Sequence, residues 1–406
     1  KKQKKLEKSK AMTQKELEDL AQDCYRKFEI FKMQHQNDSA AHYIELRASL
    51  DTLKVDWQDD AGAFIHKYMA DYKKASAYYL RALKQCQSLY GEEYIETALE
   101  YNHLGLLLID NAYFDDARKN LEKACTIQSN LKGNSDLRLA SYKVSIGTLY
   151  YYISDYKKAL DYFETALKIM EENDGNLNEQ ATIYENIGII NNTLGKYEIS
   201  LDYLFKALKI KQEEFGENSL EVSNVYNNIA LVYKYKKDHS EAINYYEKAI
   251  AIGEIILGNK HPDIGMRYNN IGSIYDDKGE LSLAINNYEI ALRRVSAIYG
   301  ENHPRVATIL NNIGSVYYKR DNIGKALEYV LKAVSIDESI YGKDHSDVAI
   351  DYANVSALFL KNRDYEHALE YAQKAFNIFK AKLGENHPNT NILREKVKEI
   401  ESVLKR

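Results

Sequence analysis

An all-α solenoid of antiparallel helix pairs is the fold predicted by this sequence of 406 residues. Three observations carry the prediction. The chain repeats itself at a fixed interval: Gly272, Tyr275, Ala284, Ala291 and Gly300 recur as Gly314, Tyr317, Ala326, Ala333 and Gly342. Each repeat holds two apolar stretches of helical spacing joined by a short turn. Small residues also stand at fixed places in both stretches. A fixed period of this size is the mark of a repeat array whose units bury their apolar faces on one another.

The copy from 263 to 304 shows the grammar. Ile264, Tyr268, Ile271, Ile274 and Tyr275 fall on one face of a first helix. Asp277, Lys278 and Gly279 break the pattern as a turn. Leu281, Ala284, Ile285, Tyr288, Ala291, Leu292 and Val295 then line a second helix. Gly300 stands where a left-handed C-terminal cap is expected. Pro304 opens the next helix at a position that needs no N–H.

Small residues decide which solenoid. The first helix carries Gly105, Gly147, Gly188, Ala230, Gly272, Gly314 and Ser356 in register. The second carries Ala117, Ala159, Ala242, Ala284, Ala326 and Ala368, with Ser200 breaking the run, and two turns further on an unbroken series from Ala124 to Ala375. Glycine inside a helix costs roughly 1 kcal/mol against alanine, so its recurrence needs a reason, and close approach of neighbouring helix backbones is one. This Gly–Tyr–Ala–Ala order resembles the tetratricopeptide repeat; HEAT repeats share the period but not the small-residue order. The 42-residue length and the Gly-x-x-His-Pro strings between hairpins resemble the repeats of kinesin light chains and nephrocystin-like proteins, over about residues 57–390. The resemblance implies a right-handed superhelix with a concave groove lined by first helices.

Taken in order, residues 1–10 carry six Lys and one Glu. They read as a solvated helix start or linker rather than a nucleic-acid or membrane contact, since no aromatic residue interleaves them. The chain begins on Lys rather than Met and is expected to be a trimmed or excised segment. Leu17, Ala21, Cys24, Phe28 and Phe31 predict an amphipathic helix over 12–34, and a second helix follows from Ser39 to about Lys54. The step from Ala48 to Ala82 matches the ordinary tetratricopeptide period of about 34 residues, which leaves a degenerate first repeat open as a reading of 12–56. About eight repeats then occupy 57–388. The first has Ala75, Tyr79 and Ala82 in place but Ala63 where glycine is usual. All later steps are equal except Gly147 to Gly188, which is shorter by a single position; the missing residue lies between Gly175 and Gly188, and the loop NDGNLNEQ at 173–180 should be the least regular. Residues 389–406 read as a capping helix, with Leu393, Val397, Ile400 and Leu404 on one face.

Composition narrows the class: 45% hydrophobic, 28% charged, net charge −5. No apolar run approaches membrane-spanning length, no secretory signal opens the chain, and Cys24, Cys86 and Cys125 are scattered and odd in number. The reading is cytoplasmic, without membrane insertion or a nucleic-acid partner. His261, His303, His345 and His387 are in register, but successive repeats stand roughly 8–10 Å apart, too far to share one ion, so these read as helix starts. No phosphate loop, Cys-x-x-Cys or His-Glu-x-x-His occurs. No enzyme activity, cofactor or metal is expected.

Asparagine is the informative polar residue. Two positions before the small residue stand Asn186, Asn228, Asn270, Asn312 and Asn354, doubled by Asn227, Asn269 and Asn311. Asparagine is a poor helix former, so its recurrence calls for compensation. Its carboxamide matches the C=O and N–H of an extended peptide; equally, it can bridge neighbouring first helices, and the two roles are compatible. Tyr151, Tyr152, Tyr235 and Tyr318 are expected to supply side-chain pockets, whereas Tyr275 and Tyr317 are expected in the core. Five repeats at about 8–10 Å per step cover about 30–40 Å, room for an extended segment of about ten to twelve residues. The expected function is a non-catalytic scaffold holding a peptide or disordered segment of a protein partner. The alternative is the sensor arm of a larger signalling or effector protein, its groove gating an appended domain.

Overall fold

The computed structural model describes residues 13–34, 36–69, 71–258 and 261–405; the lysine-rich start lies outside them. The described chain is helical throughout and divides into two compact units at Leu194 and Gly195. None of its helices is long and apolar enough to cross a membrane.

In the first unit, α1 (Gln14–Met33) packs on α2 (Asn37–Leu50), α3 (Val55–Phe64) on α4 (Tyr72–Tyr90), α5 (Ile95–Asp110) on α6 (Phe114–Lys132) and α7 (Leu137–Tyr152) on α8 (Tyr156–Glu172), with α9 (Leu177–Thr193) following. In the second, α10 (Tyr197–Phe215) leads into the pairs α11 (Leu220–Tyr235) with α12 (His239–Leu257), α13 (Pro262–Asp277) with α14 (Leu281–Tyr299), α15 (Pro304–Lys319) with α16 (Ile323–Tyr341) and α17 (Ser346–Lys361) with α18 (Tyr365–Leu383). Helix α19 (Pro388–Leu404) closes the unit, burying Leu393 and Ile400. Each unit is a short α-solenoid, and its core is the expected stripe of each helix; Ala284, Tyr288, Ala291 and Val295 of α14, for example, are all but inaccessible.

The recurring glycines have a concrete partner. A Cβ on Gly105 would stand 2.4 Å from Leu121, on Gly147 2.7 Å from Phe163, on Gly272 2.8 Å from Tyr288 and on Gly314 2.5 Å from Val330. In every case the partner lies in the second helix of the same hairpin, at one constant offset from its glycine. The close approach is therefore between a helix backbone and a large side chain. Where Ser356 replaces glycine, the residue at that offset is the small Ala372, and the serine Oγ donates to the Ala368 carbonyl at 2.8 Å.

Register differs from expectation in the first repeat. Gly62, not Ala63, meets the second helix, with its Cβ position 3.0 Å from the Tyr79 ring, while Ala63 is exposed. The residue gained is absorbed by a π-helical turn, Ile65–Met69, directly after α3. The shortened step between Gly147 and Gly188 also shows its irregularity. Helix α8 is 17 residues long against 19 in α6 and α10, and Asp174 takes a φ of 49°. The glycine caps differ in one respect: Gly300 has φ 77° but ψ 174°, a mirror-extended conformation reserved for glycine rather than the left-handed helical one.

The four histidines begin helices. His261, His303, His345 and His387 are N-caps, each accepting at Nδ1 from the backbone N–H two positions on, at 3.1 to 3.3 Å. Tyr299 stacks on His303 with ring centroids 4.2 Å apart. Cys24 and Cys86 are buried and form no disulfide, nor does the half-buried Cys125.

Candidate functional site

The asparagine series lies on first helices, at a position fixed by the packed small residue two places later. Asn186 is on α9 of the first unit; Asn227 and Asn228 on α11, Asn269 and Asn270 on α13, Asn311 and Asn312 on α15, and Asn354 on α17 belong to the second. Tyr151 and Tyr152 end α7 in the first unit, while Tyr235 and Tyr318 end α11 and α15 in the second. The expected set is thus divided between the two units, and the second-unit members lie on the first helices of that unit.

On that first-helix face the carboxamides are not all turned to solvent. Asn269 is 6% exposed, and its Oδ1 accepts from Asn312 Nδ2 at 2.9 Å, one repeat away. Asn270 lies beside the buried Tyr246 hydroxyl of the preceding repeat, and Asn311 faces the Asp351 carboxylate of the following one. The Asn312–Asn269 bond realises the bridging role. Asn354, Tyr235 and Tyr318 are exposed, the two tyrosines by 53% and 44%. The face therefore has a half-buried polar floor with exposed side chains above it. Lys319 of α15 pairs with Asp276 of α13 at 2.8 Å at the helix ends.

A second register position escaped the sequence reading. Five positions before each packed small residue stand Glu100, Tyr142, Ile183, Val225, Arg267, Ile309 and Asp351. All are buried, yet three are charged. Arg267 is 3% exposed; its Nη1 donates to Ser223 Oγ at 2.7 Å and to the Ala249 carbonyl, and its Nη2 donates to Asn224 Oδ1 at 3.1 Å. Gly253 makes the room, since a Cβ there would stand 2.9 Å from Nη1. Burial pulls this guanidinium below its usual value. Glu100 is pushed up to about 9 by burial and then by the Asp59 carboxylate. Asp351 is pushed up to about 7 by burial and by the Asp337 carboxylate, with the Asn311 amide pulling the other way. Charged residues at one buried position of an otherwise apolar series were the available signal.

The Asp351 site has a consequence for pH. Its folded value lies above the ordinary carboxylate range, so the folded state holds a proton that the unfolded chain has released. That contribution to stability is fully present below about pH 4 and is lost as pH rises towards 7, at up to about 1.4 kcal/mol per pH unit. Asp351→Asn should therefore be more stable than the parent at pH 7.5. The difference should shrink as denaturation is repeated down to pH 5; a constant difference would mean that the carboxylate titrates normally.

The tetratricopeptide repeat family model matches residues 100–172, 179–255, 263–339 and 305–381. No curated protein matches the sequence. Among solved structures, RapI in its apo form is 17% identical, with a TM-score of 0.56 over 86% of this chain and 98% of that one. Aspartyl phosphate phosphatase F from Bacillus subtilis is 15% identical, with a TM-score of 0.51 over 86% of this chain and 94% of that one. The TPR-like repeats of a putative kinesin light chain from Podosopora anserina are 14% identical, with a TM-score of 0.44 over 51% of this chain and 98% of that one. At these identities RapI and the phosphatase share a fold with this chain.

Proposed function

The chain belongs to the tetratricopeptide repeat family, and on that premise we propose that the first-helix face of its second unit holds an extended segment of a protein partner. The family is one of protein-interaction scaffolds, and one observation points to this face: exposed Tyr235, Tyr318 and Asn354 stand beside the half-buried carboxamides of the same helices. A carboxamide offers two donors and two acceptor lone pairs. A bond to the neighbouring repeat thus leaves capacity for a ligand backbone. Four first helices, α11, α13, α15 and α17, give three steps of about 8–10 Å. The span suits roughly eight or nine extended residues at about 3.3 Å each. Bonds to a peptide backbone make few sequence demands, and the tyrosines set preference. Micromolar affinity is expected, because a disordered segment must be ordered on docking.

Photo-crosslinking tests the location. Peptides selected from a random library on the full chain are to be captured by p-benzoylphenylalanine at Asn354 or Tyr318. Capture should be absent with the same group at Ile255, a residue 80% exposed on the second helix α12. Capture at Ile255 alone would move the binding surface to the other side of the repeats.

A further inference from the structure

We propose that Asp59, Glu100 and His103 in the first unit form a binding site for a divalent transition metal, with zinc the best fit. Asp59 stands on α3, and Glu100 and His103 are one turn apart on α5, so their side chains share a helix face. His103 occupies the register position that carries asparagine in later repeats. One ligand atom from each residue lies within 4.8 Å of the other two. His103 Nδ1 is 2.7 Å from Asp59 Oδ1 and 4.0 Å from Glu100 Oε2.

Three features separate this cluster from an ordinary ion pair. Asp59 Oδ1, Glu100 Oε2 and His103 Nδ1 are all shielded from solvent, and none has an aligned hydrogen-bond partner. Glu100 is only 2% exposed, and a buried polar oxygen such as its Oε2, left without a hydrogen bond, is costly. By contrast, Arg267 and Asp351 at the same register position both have polar groups directed at them. The neighbouring His66 and Asp110 provide an internal comparison. They join the same two repeats, and His66 Nε2 meets Asp110 Oδ2 at 2.8 Å in proper hydrogen-bond geometry. The Asp59 and His103 atoms approach as closely without that alignment.

The donor set selects the ion. One imidazole nitrogen with two carboxylate oxygens suits zinc and its neighbours, whereas magnesium and calcium take oxygen shells. An ion about 2 Å from each ligand in tetrahedral geometry holds its ligands about 3.3 Å apart, so the 2.7 Å contact must open and the 4.0 Å separation must close, each by about 0.6–0.7 Å. Its charge offsets the two carboxylates. Asp59 and His103 side chains are each 24% exposed and provide the entry route. Three protein ligands leave a fourth zinc position for water or for a donor brought by a bound segment.

The test is calorimetric titration of the chelator-treated full chain with zinc chloride, with cobalt(II) as a spectroscopic probe. One equivalent should bind, raise the melting temperature as its concentration rises, and give a cobalt visible band. Glu100→Gln and His103→Gln should each weaken binding by more than the roughly 10–100-fold typical of losing a second-shell partner, and should abolish the cobalt band. Glu100→Gln preserves volume and should melt no lower than the parent without metal. Should either variant fail to fold, Asp59→Asn at the accessible rim supplies the same readout. Equal zinc affinity in parent and variants, or no binding by the parent, would overturn the proposal and leave a His103–Asp59 ion pair.

Discussion

Gly314→Leu should destabilise the second unit by about 1–3 kcal/mol, the usual cost of overpacking a core. Even a methyl group at this position meets Val330 at 2.5 Å and the Ala326 carbonyl at 3.3 Å. The carbonyl is backbone and cannot rotate away, so the two helices of the hairpin must separate. A contrasting glycine provides the control. Gly324, in α16, has nothing within 4 Å of its Cβ position, so Gly324→Ala should be neutral or stabilising by up to about 1 kcal/mol through helix propensity. Chemical denaturation of both variants checks the pair. Hydrogen exchange should place the Gly314→Leu loosening in α15, α16 and their neighbours, because each repeat contacts only the next. Equal losses from both substitutions would mean that the glycines are tolerated rather than required.

Much of this architecture is legible in the sequence because each element is defined by local chemistry repeated several times. Histidine before proline marks a helix start, and the Nδ1 caps realise it. Glycine recurring inside the first helix marks a close approach to a neighbouring helix, and the distances at Gly147 and Gly272 agree. What escapes is anything decided by a single step of register or by a side-chain rotation. The π turn after α3 moves the close approach from Ala63 to Gly62, and no local signal announces an extra residue in a continuous helix. The asparagines fall on the expected helices, but whether a carboxamide meets solvent or its neighbour depends on a rotamer. The Asn312–Asn269 bond is visible only in three dimensions. Asp59 and Glu100 belong to different repeats and meet only because those repeats stack.

The bridging asparagines also fix how binding should be probed. Replacing Asn269 or Asn312 breaks a contact between repeats and changes stability together with any ligand contact. The exposed members, Tyr235, Tyr318 and Asn354, can be removed without touching the core. If this face holds the partner, their combined replacement by alanine removes the aromatic anchors and one carboxamide. Aromatic anchors commonly carry about 2 kcal/mol or more each at interfaces, so the loss should greatly exceed the effect on folding. The decisive measurement is calorimetry of a library-selected peptide with the full chain and with the Tyr235→Ala, Tyr318→Ala, Asn354→Ala triple variant, alongside their melting curves. The account predicts affinity weakened at least about tenfold, or 1.4 kcal/mol, with the melting temperature nearly unchanged. Unchanged affinity in a variant that melts like the parent would contradict it.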